Sequence, residues 1–331
     1  MVSSQNKSVR IESALNRPEI KGKNMNHNWD DLRYFLAVCR TNSFVAAANR
    51  LHVTHSTVSR RISSLETALE TQLFLRTEKG CHLTPAGEAL LPYAEQVETT
   101  SMSLVEHIHG KDSQLSGTIR IGAPDGLGNC FLATHLGQFQ ARHPHLEVEL
   151  IAVPQYYSLT KREIDILITI TRPTSSNIVA RKITDYRLGF FAAQNYLSKW
   201  GEITERKDLS KHNLIDYIED LLYDENLKFL TELAPGQKAK FHISTVVGQM
   251  NAIVAGMGIG VVPYFMAHAE PTLVPVMPDL HTERGFWLQV NPESRQLARV
   301  RATIDFIVSR IDENRKLFIT LPNDRFAKSV F

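Results

Sequence analysis

Hydrophobic positions recur at helical intervals in three successive segments of residues 29–84. In the third segment the apolar side chains follow one another at spacings of four, three and four, which places them in one stripe along a helix. This stripe consists of Val58, Ile62, Leu65 and Leu69. Thr54 is a suitable N-cap, and no acidic residue occurs between Val53 and Ser64. The segment therefore predicts a helix that packs by one face and exposes hydroxyls and two arginines on the other.

Two earlier segments and a later hairpin complete the pattern. The apolar positions of the two earlier helices are Leu32, Phe35, Leu36 and Cys39, then Phe44, Ala47, Ala48 and Leu51, with Ser43 as the cap of the second. After Glu70 the sequence predicts a two-stranded wing over 73–76 and 81–83, with Gly80 in the tight turn. Alone, Arg60 and Arg61 would be ordinary solvated helix charges. Within a winged helix-turn-helix they favour contact with DNA.

Several motifs in this region carry a family resemblance. They are Leu32-Arg33-Tyr34-Phe35, Ser43-Phe44 with Ala46-Ala47-Ala48, Leu51-His52-Val53-Thr54, Val58-Ser59-Arg60-Arg61-Ile62 with Leu65-Glu66, Leu73-Phe74 with Arg76, and Leu83-Thr84-Pro85-Ala86-Gly87. Residues 29–110 thereby resemble the N-terminal domain of LysR-type transcriptional regulators, and the remainder resembles their effector domain. The resemblance implies a regulator that binds double-stranded DNA, responds to a small-molecule effector and acts on RNA polymerase.

The resemblance and the wing geometry together nominate the DNA contacts. They are His55, Ser56, Thr57, Ser59, Arg60 and Arg61 in the third helix, and Arg76 and Lys79 in the wing, which would meet the minor groove or the backbone. In the family the position of His55 is most often glutamine, which can pair bidentately with adenine. The base preference of the family therefore does not carry over to this chain.

A long helix is predicted from Pro85 to about residue 109. Its apolar positions follow a heptad spacing interrupted by one serine: Leu90, Ala94, Val97, Ser101, Leu104 and Ile108. Such a seam pairs with a second copy of the helix, although the pattern alone also allows packing against its own domain. The resemblance implies a homodimer or homotetramer on a pseudo-palindromic operator.

From about residue 116 onward, β-rich runs alternate with amphipathic helical ones, which predicts an α/β domain with a largely parallel sheet. The predicted strands are 118–123, 146–153, 165–170, 188–192, 214–217, 241–245, 259–262 and 286–290, and a helix over 299–311 closes the fold. The resemblance implies a two-lobed domain over 117–313, similar to periplasmic binding proteins. One lobe would hold 117–184 and 286–313 and the other 188–265, with hinge crossings near 183–188 and 283–286.

The resemblance also implies that the effector lies in the cleft between the lobes. The residues nominated there are Pro124, Asp125, Gly126, Thr171, Thr245 and Val247. Relatives that sense a carboxylate often have serine or threonine in the first of these segments. Asp125 stands there instead, which disfavours a simple anionic effector. Its alternative interpretation is a helix cap with no ligand contact.

Composition is consistent with a soluble regulator of several domains. The chain has 331 residues, 43% of them hydrophobic, and a net charge of +2. It has no run near the ~20 apolar residues of a membrane span and no apolar signal core, so we expect no membrane association. The few scattered cysteines, Cys39, Cys81 and Cys130, favour a reducing compartment, and we expect a cytoplasmic protein. Residues 1–28 are polar and predict a disordered extension, and 314–331 predict a C-terminal tail.

Catalysis finds little support in the sequence. The nucleophile, zinc and phosphate-binding motifs G-x-S-x-G, H-E-x-x-H and G-x-x-x-x-G-K-[ST] are absent. We therefore expect no enzyme, no cofactor and no metal. The alternative function is a small-molecule binding module or degenerate enzyme whose N-terminal domain contacts proteins.

Overall fold

The computed structural model describes residues 28–77, 80–108, 115–152, 164–175 and 178–322. The chain divides into two compact units, Met1–Leu91 and Pro92–Phe331. The predicted disordered extension lies outside the described residues apart from Asn28, and so does Lys79 of the wing. The side chain of Arg76 is not described either.

The first unit contains three helices and a hairpin. The helices are α1 (Trp29–Thr41), α2 (Phe44–Leu51) and α3 (His55–Ala68), and the strands are β1 (Phe74–Thr77) and β2 (Gly80–Leu83), followed by the start of α4 (Pro85–Ile108). The strands pair antiparallel from Phe74 with Leu83 to Thr77 with Gly80. Gly80 has φ +125°, which an L side chain rarely adopts. The predicted winged helix-turn-helix is confirmed.

Side-chain caps define where these helices begin. The Ser43 hydroxyl accepts a hydrogen bond from the amide of Ala46 at 3.3 Å, and the Thr54 hydroxyl accepts one from the amide of Thr57 at 3.3 Å. Both caps were predicted from the sequence. Asn28 caps α1 in the same way, accepting from the amide of Asp30 at 3.0 Å.

Aromatic packing joins the wing to the helices. The ring of Phe74 lies 5.3 Å from that of Phe35 and 5.8 Å from that of Phe44, between centroids. The predicted apolar positions are buried except at the ends of the stripes. These exceptions are Cys39, Leu51 and Leu69, which are only half-buried, and Leu69 lies just past the end of α3. The hairpin therefore completes the core of the helical unit.

Helix α4 runs over 24 residues, and Pro85 is its first residue. The Thr84 hydroxyl accepts a hydrogen bond from the amide of Gly87 at 3.1 Å, which caps the helix. Along the predicted seam, Leu90 and Val97 are half-buried, Ala94 is buried, and Ser101 and Leu104 are exposed; the side chain of Ile108 is not described. Leu104 is 61% exposed, so this part of the seam lacks a partner within the described chain.

The second unit is an α/β domain. Its strands are β3 (Gly117–Ala123), β4 (Leu146–Ala152), β5 (Ile166–Thr169), β6 (Val179–Ala193), β7 (Leu214–Asp216), β8 (Phe241–His242), β9 (Ile259–Pro263) and β10 (Leu273–Val290). Its helices are α5 (Asp125–Leu127), α6 (Ala133–Arg142), α7 (Gln194–Trp200), α8 (Phe229–Leu233), α9 (Val246–Val254), α10 (Tyr264–Ala267), α11 (Ala298–Glu313) and α12 (Arg315–Ile319). A π-helical turn, Gly128–Leu132, joins α5 to α6.

The strands form a single sheet in the order β4-β3-β5-β10-β6-β9-β7-β8. At one end β3 is parallel to β4 and β5, and at the other end β7 is parallel to β8 and β9. The two central strands, β6 and β10, are antiparallel to each other and to their outer neighbours. The sheet is therefore parallel within each lobe and antiparallel where the chain passes between lobes, so the predicted largely parallel sheet was only half right.

The two crossing strands are much longer than the sequence predicted. β6 covers 15 residues and β10 covers 18, whereas we expected only 188–192 and 286–290. Charged residues such as Glu283 and Arg284 obscured the pattern. Both predicted hinge crossings lie within this strand pair, where Arg187 faces Glu283 and Asp185 faces Gly285. A register shift between Val276 and His281 interrupts the pairing.

The C-terminal boundary also differs from the expectation. We predicted a tail from residue 314, but Arg315–Ile319 form α12. Phe318 is fully buried, with its ring 5.1 Å from that of Phe131 and 5.0 Å from that of Phe265. These residues belong to the domain core, and only the chain beyond residue 322 lies outside the description.

Candidate functional site

The beginning of α3 carries a cluster of hydroxyl groups. The Thr54 hydroxyl lies 2.9 Å from that of Ser56 and 2.9 Å from that of Thr57. His55 and Ser56 are exposed. The first amides of a helix have no partner in the preceding turn, and the helix dipole favours negative charge near them. Phosphate oxygens can therefore be bound here by hydroxyls and amides together.

The exposed face of α3 continues through Arg60, Ser63 and Ser64. The first acidic residue after this face is Glu66. Its Oε1 accepts hydrogen bonds from the amides of Leu73 at 2.8 Å and Phe74 at 3.3 Å. The Glu66 carboxylate therefore binds the start of the wing to α3. The face that precedes it has no negative side chain to repel DNA.

Arg61 lies on a different side of the helix from the one we expected. Its Nη1 is 3.1 Å from Oδ1 of Asp31, and its guanidinium lies 5.6 Å from the centre of the Tyr34 ring. Asp31 is 1% exposed. The guanidinium is therefore engaged by α1. This placement differs from the predicted exposed face with two arginines, because the turn of 100° per residue carries Arg61 back toward α1.

Ser59 also departs from the prediction. Its Oγ is buried and has no hydrogen-bond partner among the described residues. In the described conformation this hydroxyl is not available to a base edge. Thr57 is half-buried and takes part in the cap cluster. On α3, His55, Ser56 and Arg60 are exposed and Thr57 is half-buried; the predicted DNA contacts stay predictions.

In the second unit, Asp125 and Val247 come together from opposite lobes. The amide of Val247, in the first turn of α9, donates a hydrogen bond to Oδ2 of Asp125 at 3.3 Å. Thr245 caps the same helix, because its hydroxyl accepts from the amide of Gly248 at 3.1 Å. Gly126 packs so closely that an added Cβ would lie 2.8 Å from side-chain atoms of both Val246 and Met266. The lobes are thus in contact beside Asp125.

A cavity with about 330 Å³ of empty space, part of which is open solvent, adjoins this contact. It is lined by Pro124, Asp125, Gly126, Leu127, Ile170, Tyr186, Leu188, Tyr217, Tyr223, Leu227, Phe229, Val246, Pro263, Phe265 and Phe286. Of the lining residues that the structure describes, Asp125 is the one with a charge, and six of the others are aromatic. Small-molecule sites are commonly concave and apolar with a few placed polar groups. The cavity has that character.

Burial raises the pKa of Asp125, and hydrogen bonds from the amides of Val247, Val246 and Gly126 offset this only in part. Asp125 is 3% exposed. Burial also raises the pKa of Tyr217, and the negative charge of Asp125 adds to the effect. Among the residues described here, no lysine, arginine or histidine forms an ion pair with Asp125. The carboxylate is therefore held by backbone amides alone.

The cavity contains only part of the predicted effector set. Pro124, Asp125 and Gly126 line it, and Val247 lies behind Asp125. Thr171 is exposed and donates a hydrogen bond to Oδ2 of Asp224, while Thr245 serves as a helix cap. The aromatic residues of the lining were not predicted as part of the site. They are Tyr186, Tyr217, Tyr223, Phe229, Phe265 and Phe286. No sequence signal separates these residues from an ordinary aromatic core.

Other chemistry is not evident in the described part of the chain. No group of three His, Cys, Asp or Glu residues there could hold a metal ion. Burial raises the pKa of Cys130 to about 11, so this cysteine is a neutral thiol rather than a reactive thiolate. Within the same described ranges, no helix combines the length and apolar content needed to cross a membrane.

Two family models match the sequence. Residues 29–88 match the bacterial regulatory helix-turn-helix protein of the lysR family, and residues 112–312 match the LysR substrate binding domain. Among curated relatives, the HTH-type transcriptional regulator PtxR of Pseudomonas aeruginosa is 26% identical over 288 residues, which cover 85% of this chain and 92% of PtxR. A regulator of Xanthomonas campestris is 29% identical over 191 residues, covering 58% of this chain and 56% of that relative.

The fold is also similar to that of a solved LysR-type regulator. CrgA of Neisseria meningitidis matches with a TM-score of 0.54 and 23% identity, over 86% of this chain and 99% of CrgA. At this identity the likeness supports the fold alone. The two sequence matches together span most of the described residues. The chain therefore belongs to the LysR family of transcriptional regulators, with a helix-turn-helix DNA-binding domain and a two-lobed effector-binding domain.

Proposed function

We propose that this regulator binds a pseudo-palindromic operator as a dimer or tetramer, and that a small molecule in the cavity beside Asp125 changes that binding. The observation that carries the proposal is the exposed first half of α3, which presents hydroxyls and Arg60 without any carboxylate. A recognition helix enters the major groove by its N-terminal residues. His55, Ser56 and Arg60 are therefore the proposed base or phosphate contacts, with Thr57 supporting them through the cap.

Oligomerisation raises the affinity for DNA above that of a single DNA-binding unit. The net charge of the chain is only +2, and neutralisation of phosphates supplies most non-specific affinity for DNA. Two linked recognition helices raise the affinity through avidity. Exposed apolar side chains on α4, including Leu104 and Tyr93, are available for the pairing. We propose that the assembly acts in the cytoplasm, with RNA polymerase as its further partner.

The test is a genome-wide selection of DNA fragments by the purified full-length protein at two salt concentrations. The Arg60→Ala variant is compared with Arg206→Ala, which removes the same charge from an exposed position in the second unit. We expect a recurring pseudo-palindrome with wild type and Arg206→Ala. Arg60→Ala should lose about 1–3 kcal/mol of affinity for the selected site, because arginine contacts to bases are worth that much. Binding without sequence preference by the wild-type protein would contradict the proposal.

A further inference from the structure

We propose that the cavity beside Asp125 binds a small organic cation, a ligand with an ammonium group, between the Asp125 carboxylate and the aromatic side chains of the lining. This inference rests on the proposed function, because it assumes that the effector occupies this cavity. It specifies the chemical class of that effector.

The lining suits a cation. Three tyrosines and three phenylalanines contribute to it, and Asp125 is the charged group among them. An aromatic ring has a negative face, so ammonium groups are attracted to rings within about 6 Å of their centres. A cage of several rings with one carboxylate combines this attraction with an ion pair. Apolar ligands would leave the buried carboxylate without a charge partner.

The position that an anion would take is already filled. Where no basic side chain is present, an anion commonly binds to the free amides at the start of a helix. At α9 the amide of Val247 donates to Asp125, a residue of the other lobe. Among the described residues, the cavity lining contains no lysine, arginine or histidine. A carboxylate ligand would therefore enter a buried space that already holds one negative charge, with no cation to offset it.

The surroundings add negative charge. Asp216 and Asp224 are close enough for their charges to contribute to the raised pKa values of Tyr217 and Tyr186, respectively. Arg284 approaches the cavity, with its guanidinium 5.4 Å from the centre of the Phe229 ring. That guanidinium is paired with Glu232, however, and donates to Thr282 at 2.8 Å. At Tyr186 the charge of Arg284 lowers the pKa more than that of Asp224 raises it. The negative field is therefore strongest at Tyr217, where burial raises the pKa and both Asp125 and Asp216 raise it further.

The bonding of Asp125 leaves room for a ligand cation. Oδ2 of Asp125 accepts a hydrogen bond from the amide of Val247 at 3.3 Å, and the amides of Val246 and Gly126 also stabilise the carboxylate. A carboxylate has about four lone-pair positions, and no side-chain cation in the described chain takes the rest. The residue is nonetheless 3% exposed and faces the cavity. A bound ammonium would supply the missing counter-charge.

The cavity volume limits the ligand to a few heavy atoms beyond the ammonium. The roughly 330 Å³ of empty space in the cavity includes open solvent, so the enclosed part holds only a small ligand. Tetramethylammonium and choline are suitable probes of this size. 3,3-Dimethylbutan-1-ol has the shape of choline without its charge, and 3,3-dimethylbutanoate has a related shape with a negative charge.

The experiment is calorimetric titration of the full-length protein with these four probes. We expect both cations to bind, and choline to bind at least about ten-fold more tightly than the neutral alcohol, a difference of 1.4 kcal/mol. The carboxylate should bind more weakly still. Absence of binding by both cations at millimolar concentration would overturn the proposal, and so would an alcohol or carboxylate that binds as tightly as choline.

Two variants locate the site. Asp125→Asn keeps an oxygen for the Val247 amide and removes only the charge, so it should lower choline affinity about ten-fold or more and leave the alcohol unaffected. Phe229→Leu keeps an apolar side chain without the ring and should weaken choline selectively. The control is Asp312→Asn, which removes a carboxylate from a surface pair with Arg315 on the last helices. Choline binding unchanged in Asp125→Asn would refute the assignment even if other variants failed to fold.

The experiments distinguish failure of the cation site from failure of the proposed regulatory function. A carboxylate that bound in the cavity and altered operator affinity would eliminate the cationic ligand and leave the regulator intact. Choline binding that depended on Asp125, in a protein without sequence-specific DNA binding, would retain the cation site and eliminate the proposed function.

Discussion

The guanidinium of Arg61 lies 3.1 Å from the carboxylate of Asp31 and joins α3 to α1 inside the DNA-binding domain. Arg60, its neighbour in the sequence, points to solvent. Two adjacent arginines of the recognition helix therefore have different physical environments. One supports the fold of the domain, and the other is available for DNA.

The first prediction concerns Arg61→Met. Removal of the guanidinium leaves the buried Asp31 carboxylate without this ion pair, and we expect the first domain to lose about 2–4 kcal/mol of stability. The measurement is amide hydrogen exchange over residues 29–84 in the full-length protein. Arg33→Met is the control, because Arg33 is 64% exposed and its pair with Asp30 is long, at 3.8 Å; it should change stability by less than about 0.5 kcal/mol. Equal protection in both variants would rule out the supporting role of Arg61.

The second prediction compares two glycines within helices. In α4, a Cβ on Gly87 would lie 2.3 Å from the carbonyl oxygen of Leu73, so Gly87→Ala should destabilise the first domain by about 1–3 kcal/mol. In α6, a Cβ on Gly137 would meet no atom within 4 Å. Gly137→Ala should therefore stabilise its helix by about 0.5–1 kcal/mol.

Local hydrogen exchange in each domain measures both effects in the same full-length chain. If Gly87→Ala were neutral, the close approach of α4 to the residue before the wing would be wrong. A loss of stability in Gly137→Ala would similarly contradict the open surroundings of that residue.

The third prediction is a pH dependence that originates at Asp125. Because burial raises its pKa in the folded protein, the folded state binds the proton more tightly than the unfolded state. The associated stability is fully present below the usual pKa of about 3.8 and is lost as the pH rises through the raised value. Asp125→Asn cannot lose it, so the variant should melt at a higher temperature than wild type at pH 7, in the absence of ligand.

The difference between the two melting temperatures should shrink as the pH falls toward 3.8, where the wild-type carboxyl is protonated in both states. Thermal unfolding across this pH range, followed by a signal from the second domain, gives the result. Subtracting the variant from wild type cancels the titration of all other groups. A difference that is constant with pH would show that the effect of the substitution is not electrostatic.

The fourth prediction concerns the pairing of α4. Leu104 is 61% exposed and belongs to the predicted heptad seam. Leu104→Glu places a charge in an apolar helix interface and should weaken dimerisation by at least about ten-fold. Thr100→Glu is the matched control, because Thr100 is exposed on the same helix but outside the seam. Sedimentation velocity over a concentration series distinguishes them; dissociation of Thr100→Glu alone would place the interface on another face.

Local patterns were sufficient for most of the first domain. The caps at Ser43 and Thr54 and the hairpin glycine Gly80 act within a few residues, so their sequence signals are direct. The apolar stripe of α3 follows from the helical period alone. These features are decided by backbone sterics and by hydrogen bonds between near neighbours in the chain.

In the second domain, local sequence patterns did not predict the pairing of strands that are distant in the chain. β6 and β10 contain charged residues that a strand pattern does not favour, yet they pair over most of their length because each strand supplies the hydrogen-bond partners of the other. Phe318 fell within the predicted C-terminal tail, although its ring packs against Phe131 and Phe265. The sequence near each residue carries no signal for such contacts between distant segments.

The amino-acid sequence by itself determined the helix-turn-helix, its wing, the linker helix and the family of this regulator, because those features depend on periodicity and on residues close in the chain. Only the tertiary structure decided that Arg61 turns toward Asp31 and that the Ser59 hydroxyl oxygen is buried. It also decided that Asp125 meets the start of α9 beside an aromatic cavity. Each of these results depends on which distant segments pack together, and packing is a property of the whole folded chain.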